Sequence, residues 1–280
     1  MSITSSMLRL VKFEHTIFAL PFAFVGVIAG LRSFPDSKTS LLILGAMIGA
    51  RTAAMGLNRI IDLPYDKKNP RTKKWELVTG EIKEKPVWIL IFFSLIILGY
   101  CTKELSHLAW QLSPIAILLL SIYPFTKRWG TFCHLWLGLT LSCAPAGGFI
   151  AVTNGWGDNL YMICLAVTFW VAGFDILYSM QDTSFDKKEG LYSVPSVYGK
   201  EKAFLISRIF HFFAAIFFFL FGKAFDWSQS WTIGCCLMTM LLVWQHSIIT
   251  PQNLKKINAS FFSANGWISV LLLIAASLTI

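Results

Sequence analysis

Two short segments of this chain set acidic residues against long apolar runs. The first reads Asn58-Arg59-Ile-Ile-Asp62-Leu-Pro64-Tyr-Asp66, and the second Asp175-Ile-Leu-Tyr178-Ser-Met-Gln-Asp182-Thr-Ser-Phe-Asp186. Residues four apart share a helical face. This aligns Asn58 with Asp62, and Pro64 is expected to unwind the chain before Asp66. The offsets of Asp175, Tyr178, Asp182 and Asp186 predict a second set along one face. Carboxylates at the edge of a membrane are costly unless paired or bound to metal, so two facing sets require cations. Mg²⁺ prefers oxygen ligands and is commonly held by one or two carboxylates plus substrate phosphates. The pattern therefore predicts a diphosphate bridged by Mg²⁺ to two Asp pairs, with Asp62, Asp66, Asp182 and Asp186 as the metal ligands. Lys127, Arg128 and Arg71, with Asn58, suit the diphosphate and the charge that grows on it as it leaves.

These residues need a scaffold in lipid. The chain has 280 residues, 55% hydrophobic and 14% charged, where a soluble domain carries about 25% charged residues. A membrane helix needs about 20 largely apolar residues. Nine such runs can be read, at 14–32, 40–61, 86–102, 107–124, 131–153, 160–181, 203–222, 230–249 and 260–280. The expectation is an all-α polytopic membrane protein, a single membrane-embedded unit over 1–280. Four runs separate the two acidic segments, which predicts two similar four-helix halves plus a ninth helix. Gly45, Gly49, Gly147 and Gly148 are expected where helices approach closely, and Pro145 is expected to kink the fifth run.

Charge placement gives orientation. Of the 24 Lys and Arg, 17 fall before the first run or in loops after even-numbered runs, and 4 lie in the opposite loops. The positive-inside rule puts the N-terminus and both acidic segments in the cytoplasm. The net charge of +9 is then mostly topological, and no nucleic-acid partner is expected. The six Cys lie mostly in apolar runs without a CxxC pair and read as small apolar residues.

A diphosphate at a membrane-embedded site implies a lipid tail, and a polyprenyl diphosphate is the simplest such substrate. Phe, Trp and Leu side chains can line a groove for it and stabilise an allylic cation. Blander readings stand beside these. Lys127 and Arg128 also serve as topology determinants, and Tyr178 and His15 as interfacial residues rather than contacts to acceptor or cation. His134, His211 and His246 read as isolated structural histidines. Arg51 is expected to pair with an interior acid, with substrate binding open. A secondary transporter is the rival class, but its acids belong near the bilayer midplane.

The chain resembles the UbiA superfamily of intramembrane aromatic prenyltransferases. The resemblance rests on Asn58-xxx-Asp62-xxx-Asp66 with Arg71-Thr72, on Tyr123-xxx-Lys127-Arg128, on Asp175-xx-Tyr178-xxx-Asp182-xxx-Asp186, and on Gly190…Ser193-Val-Pro-Ser196…Gly199. It implies nine helices around a central cavity, two Mg²⁺ ions, a prenyl diphosphate donor, an aromatic acceptor and a lateral opening to membrane lipids. The implied role is prenylation of an aromatic acid, 4-hydroxybenzoate first, in quinone biosynthesis in a bacterial plasma membrane. The opening Leu10-Val-Lys12-Phe-Glu14-His15 through Pro21 resembles a menaquinone branch whose acceptor is a naphthoate. Asp175 is assigned to orienting the acceptor or stabilising the cation. Arg59 stands where many members have an Asp, and Trp75 and Val78 where an Arg and a Pro are frequent. Arg59 is expected to soften the local negative charge or to contact phosphate.

Overall fold

The computed structural model describes residues 3–10 and 16–280. An amphipathic α1 (Ile3–Leu10) precedes α2 (Thr16–Leu31) and α3 (Ser37–Ile61). A first loop region carries α4 (Leu63–Asp66) and α5 (Glu76–Thr79), and α6 (Glu84–Leu105) and α7 (His107–Ile122) follow. A 3₁₀ turn at Tyr123–Arg128 leads to α8 (Cys133–Thr153) and α9 (Leu160–Ser179). A second loop region holds α10 (Thr183–Glu189) and α11 (Val194–Tyr198). The chain ends with α12 (Lys200–Leu220), α13 (Gln229–Ser247), α14 (Ile257–Ala259) and α15 (Asn265–Ser277).

Among the described residues, the apolar runs fall largely on helices. Six segments among the described residues are long and apolar enough to cross a membrane: Ser37–Ile61, Glu84–Leu105, His107–Arg128, Cys133–Thr153, Leu160–Ser179 and Lys200–Phe225. α2 and α15 are apolar but shorter. The protein is an integral membrane protein. Its outward faces carry Phe92, Phe93, Phe212 and Val243, all well exposed, as helices bathed in lipid tails should.

α9 forms the centre. Ala166, Val167, Val171, Ala172 and Ile176 are almost completely buried, because α8 packs on one side of α9 and α12 on the other. α2 packs against α8 and α15, and α3 against α6. Small residues permit these approaches. A Cβ at Gly49 would lie 2.6 Å from the Ser94 carbonyl oxygen, and one at Gly148 would overlap the Ala23 carbonyl on α2. Gly147 departs from expectation, since a Cβ there would meet nothing within 4 Å. Its neighbour faces α2, and Gly147 itself points away from that contact. Pro145 sits inside α8 without ending it.

The loop regions are shaped by their turn residues. Gly190 takes φ 69° and ends α10. Ser193 then opens α11 with a reciprocal capping box to Ser196.

Replacing Gly148 by Val is expected to cost about 1–3 kcal/mol through overpacking and to lower the thermal midpoint in detergent. Gly147→Val should be nearly neutral. Equal losses from both would contradict the close α2–α8 contact.

Candidate active site

Asn58, Asp62, Asp66, Arg71, Lys127, Arg128, Asp175, Tyr178, Asp182 and Asp186 all line one cavity of about 260 Å³. His15 lies outside the described residues.

The first acidic set forms where α3 ends. Asn58 Nδ2 donates to Asp62 Oδ2 at 2.9 Å, one turn along the helix. Pro64 does not unwind the chain there. It occupies the first turn of α4, where its missing N–H is no loss, and this extra helical turn carries Asp66. Arg128 Nη2 donates to the Ile61 carbonyl at 2.9 Å and reaches Asp62 Oδ1 at 3.4 Å.

The second set does not share one continuous helical face. α9 stops at Ser179, and Asp182 stands at the start of α10. The turn between them aims Asp182 and Asp186 into the cavity while Asp175 and Tyr178 stay on α9. Asp182 is buried and accepts both arms of Arg71, at 3.0 and 2.7 Å, with Asn69 Nδ2 at 3.3 Å. Asp186, also buried, accepts from Ser193 Oγ at 2.8 Å and has Lys127 Nζ at 4.0 Å. Lys68 and Glu189 join the two loop regions once more, at 2.6 Å.

Electrostatics separates these acids. Burial pushes the Asp62 and Asp66 carboxyls up to about 6, against the pull of Lys127 and Arg128 on Asp62 and of Arg59 on Asp66. Burial raises Asp186 as well, despite Lys127. Burial acts upward on Asp182 too, but the Arg71 fork outweighs it and holds that carboxyl below its usual value. The donor set is thus all oxygen, interleaved with cations. No three His, Cys, Asp or Glu among the described residues cluster closely enough to cage a metal ion. An all-oxygen set fits Mg²⁺, which is commonly held by one or two carboxylates plus substrate phosphates.

Away from the acids the wall is aromatic. Trp170, Phe174, Tyr178 and Phe261 line it. Tyr178 is no interfacial belt residue: its ring lies 4.5 Å from that of Phe261, with the Arg71 guanidinium 5.6 Å from its centroid. Phe261 sits on a π-helical turn, Ser260–Ala264. One of two adjacent Phe in an apolar run gives no sequence signal, and nothing in the sequence singled it out.

Three other expectations change. Arg51 does not pair with an interior acid: no described acid lies within ion-pair distance, and its buried Nε has no hydrogen-bond partner, although the residue lines the cavity. His134 is not isolated, since its Nδ1 lies 2.6 Å from Asp175 Oδ2. His211 and His246 bond to each other at 2.9 Å, buried between α12 and α13. Arg59 is buried, stacks 3.4 Å from the Trp75 ring centroid and donates to the Leu10 carbonyl at 3.3 Å. Two of the positions that depart from the superfamily pattern therefore meet each other, and Arg59 anchors α1 to the first loop region.

A family model described as the UbiA prenyltransferase family matches residues 19–269. The chain is 28% identical over 249 residues to "4-hydroxybenzoate octaprenyltransferase" of Vesicomyosocius okutanii, covering 88% of this chain and 90% of that one. The protein of the same name from Francisella tularensis subsp. novicida is 27% identical over 244 residues, covering 86% and 84%. Among solved structures, a UbiA homolog from Aeropyrum pernix K1 superposes with a TM-score of 0.86 at 30% identity, over 94% and 96% of the two chains. A UbiA homolog from Archaeoglobus fulgidus bound to DMAPP and Mg²⁺ gives 0.78 at 20%, over 98% and 99%.

The raised carboxyls predict a stability signature. A folded protein that binds protons at Asp62 and Asp66 up to about pH 6 loses stability as pH rises from the unfolded value through that range. Asp62→Asn removes the charge. In metal-free protein it should stabilise by about 1–2 kcal/mol at pH 7.5, after discounting for partial exposure, by about half as much at pH 5, and by little near pH 3.5, below the unfolded value. A lower thermal midpoint for the variant at pH 7.5 would contradict this.

Proposed function

The chain belongs to the UbiA prenyltransferase family, and from that premise we propose that it transfers a polyprenyl group from polyprenyl diphosphate to a ring carbon of an aromatic acid. The acceptor is 4-hydroxybenzoate, with a hydroxynaphthoate as the alternative, in quinone biosynthesis. The placement of basic loops supports a bacterial plasma-membrane enzyme whose N-terminus and cavity mouth face the cytoplasm.

The observation that carries the aromatic acid is Arg51. It lies eleven residues before Asp62 on α3, about 16 Å along a helix. Its Nε is buried without a hydrogen-bond partner, and leaving a buried donor of a charged group unpaired is costly. A carboxylate on the acceptor supplies the missing anion by a charge-assisted, two-pronged hydrogen bond. One cavity then recognises two anions, a diphosphate at the mouth and a carboxylate further in, with aromatic rings between them.

Asp62, Asp66, Asp182 and Asp186 would hold Mg²⁺, which when bound neutralises diphosphate charge. Asn58, Lys127, Arg128 and Arg71 contact the diphosphate and stabilise the negative charge that grows on it as the allylic C–O bond breaks. Trp170, Phe174, Tyr178 and Phe261 can present ring faces to the allylic cation and exclude water from it. The acceptor ring attacks that cation and then loses a proton. The Proposed transporter alternative is disfavoured, because the acids sit at helix ends beside basic loops rather than in broken helices.

Membranes containing the protein, given Mg²⁺, a labelled polyprenyl diphosphate and both acids in competition, should yield prenylated 4-hydroxybenzoate. No prenylated product from either acid would defeat the reading. Arg51→Leu should raise the acceptor KM about 10- to 100-fold, the loss expected for a hydrogen bond to a charged group, with the donor KM nearly unchanged. An unchanged acceptor KM would remove Arg51 from the acceptor site.

A further inference from the structure

We infer that Asp175 is the base that takes the ring proton, and that His134, standing behind it, is the positioning residue, held in one tautomer by the backbone of Val194. The inference rests on the aromatic-prenylation reading above.

Asp175 lines the cavity from α9, its side chain 19% exposed, whereas the His134 side chain on α8 is 1% exposed. His134 Nδ1 lies 2.6 Å from Asp175 Oδ2. On the other side of the ring, the Val194 N–H donates to Nε2 at 3.1 Å. A backbone N–H can only donate, so Nε2 is an acceptor and carries no hydrogen. The ring hydrogen is therefore on Nδ1, donated to Asp175. His134 is neutral in this arrangement, and its Nδ1–H points at Asp175 Oδ2.

This separates Asp175 from three of the other cavity acids. Asp62, Asp182 and Asp186 each have Arg or Lys within 4.0 Å. Asp175 has no such cation among the described residues, and its one ionic-type contact is His134. A neutral donor orients a carboxylate without cancelling its charge. Oδ2 is engaged, and Oδ1 accepts no hydrogen bond from the described residues.

The turn that fixes His134 also reaches the mouth. Ser193 donates to Asp186 Oδ2 at 2.8 Å, and the next residue, Val194, donates to His134. The capping box between Ser193 and Ser196 makes this turn rigid. One short segment therefore orients an acid at the diphosphate end and the base further in.

The step balances as follows. The ring carbon bonds to C1 of the prenyl group, and the diphosphate departs with the C–O electron pair. The cyclohexadienyl cation then gives the proton on that carbon to Asp175, and the C–H pair restores aromaticity. Asp175, now a neutral acid, passes the proton to the departing diphosphate. His134 keeps its own hydrogen throughout.

The test uses ring-deuterated acceptor, 4-hydroxybenzoate or hydroxynaphthoate, whichever wild-type membranes prenylate. With C–O cleavage limiting, wild type should show little isotope effect on kcat. Asp175→Asn and His134→Leu should each lower kcat about 100-fold, as general-base losses do, with KM little changed. In both, a primary isotope effect should emerge as proton removal becomes slow. His134→Asn, whose amide can still donate to Asp175, should recover part of the rate and shrink the isotope effect, which a merely structural role would not produce. An absent isotope effect in Asp175→Asn, or His134→Asn no better than His134→Leu, would overturn the inference while wild-type turnover leaves the prenylation reading intact. A wild type that prenylates neither acid overturns both.

Discussion

The structure depends on keeping carboxylates charged at the edge of a membrane. Asp62, Asp66, Asp182 and Asp186 line one cavity, and burial works against the ionised form of each. The protein offsets that cost by tying its two loop regions together. Arg71 from the first loop region forks onto Asp182 beyond α9, and Lys68 meets Glu189 on α10. Lys127 and Arg128, from the 3₁₀ turn between α7 and α8, reach Asp186 and Asp62 in turn. The loop regions are therefore held over the cavity by the charges that a diphosphate and a divalent cation would engage. Asp62 and Asp66 remain incompletely compensated, a strain expected of a site whose partner is a ligand.

The helices explain why charge and apolar surface can coexist. α9 is buried along most of its length and carries Asp175 and Tyr178 near one end. Small residues let α8 and α2 close against each other. The chemistry is then a gradient along one cavity, from cations and acids at the mouth to aromatic rings, Asp175 and Arg51. Such a gradient suits a reaction in which a charged leaving group, an allylic cation and an aromatic acid must meet without water between them.

Much of this was legible in the sequence where the interacting groups are close along the chain. Asn58 and Asp62 are four residues apart on one helix, and their hydrogen bond follows from helical geometry. Apolar runs located the helices, because lipid demands long uninterrupted hydrophobic segments. What the sequence concealed depends on pairings across the fold. Arg71 and Asp182 are 111 positions apart, and His134 and Asp175 are 41 apart. No local period marks either pair, so His134 read as isolated. Arg51 was expected to find an acid because a buried arginine usually does. The second acidic set read as one helical face because its offsets fit a helix, yet the helix breaks after Ser179 and the turn does the aligning. Arg59 and Trp75, two departures from the superfamily pattern, make sense only as a stacked pair.

The central claim is that the two acidic sets act as one Mg²⁺-dependent diphosphate site. Its most direct test is binding of a non-reactive prenyl thiodiphosphate to wild type, Asp62→Ala, Asp182→Ala and the double variant, with and without Mg²⁺. The account predicts Mg²⁺-dependent binding that either single substitution abolishes, with the double variant no worse than the singles because the residues act as a unit. Binding that ignores Mg²⁺, or losses that simply add, would contradict it.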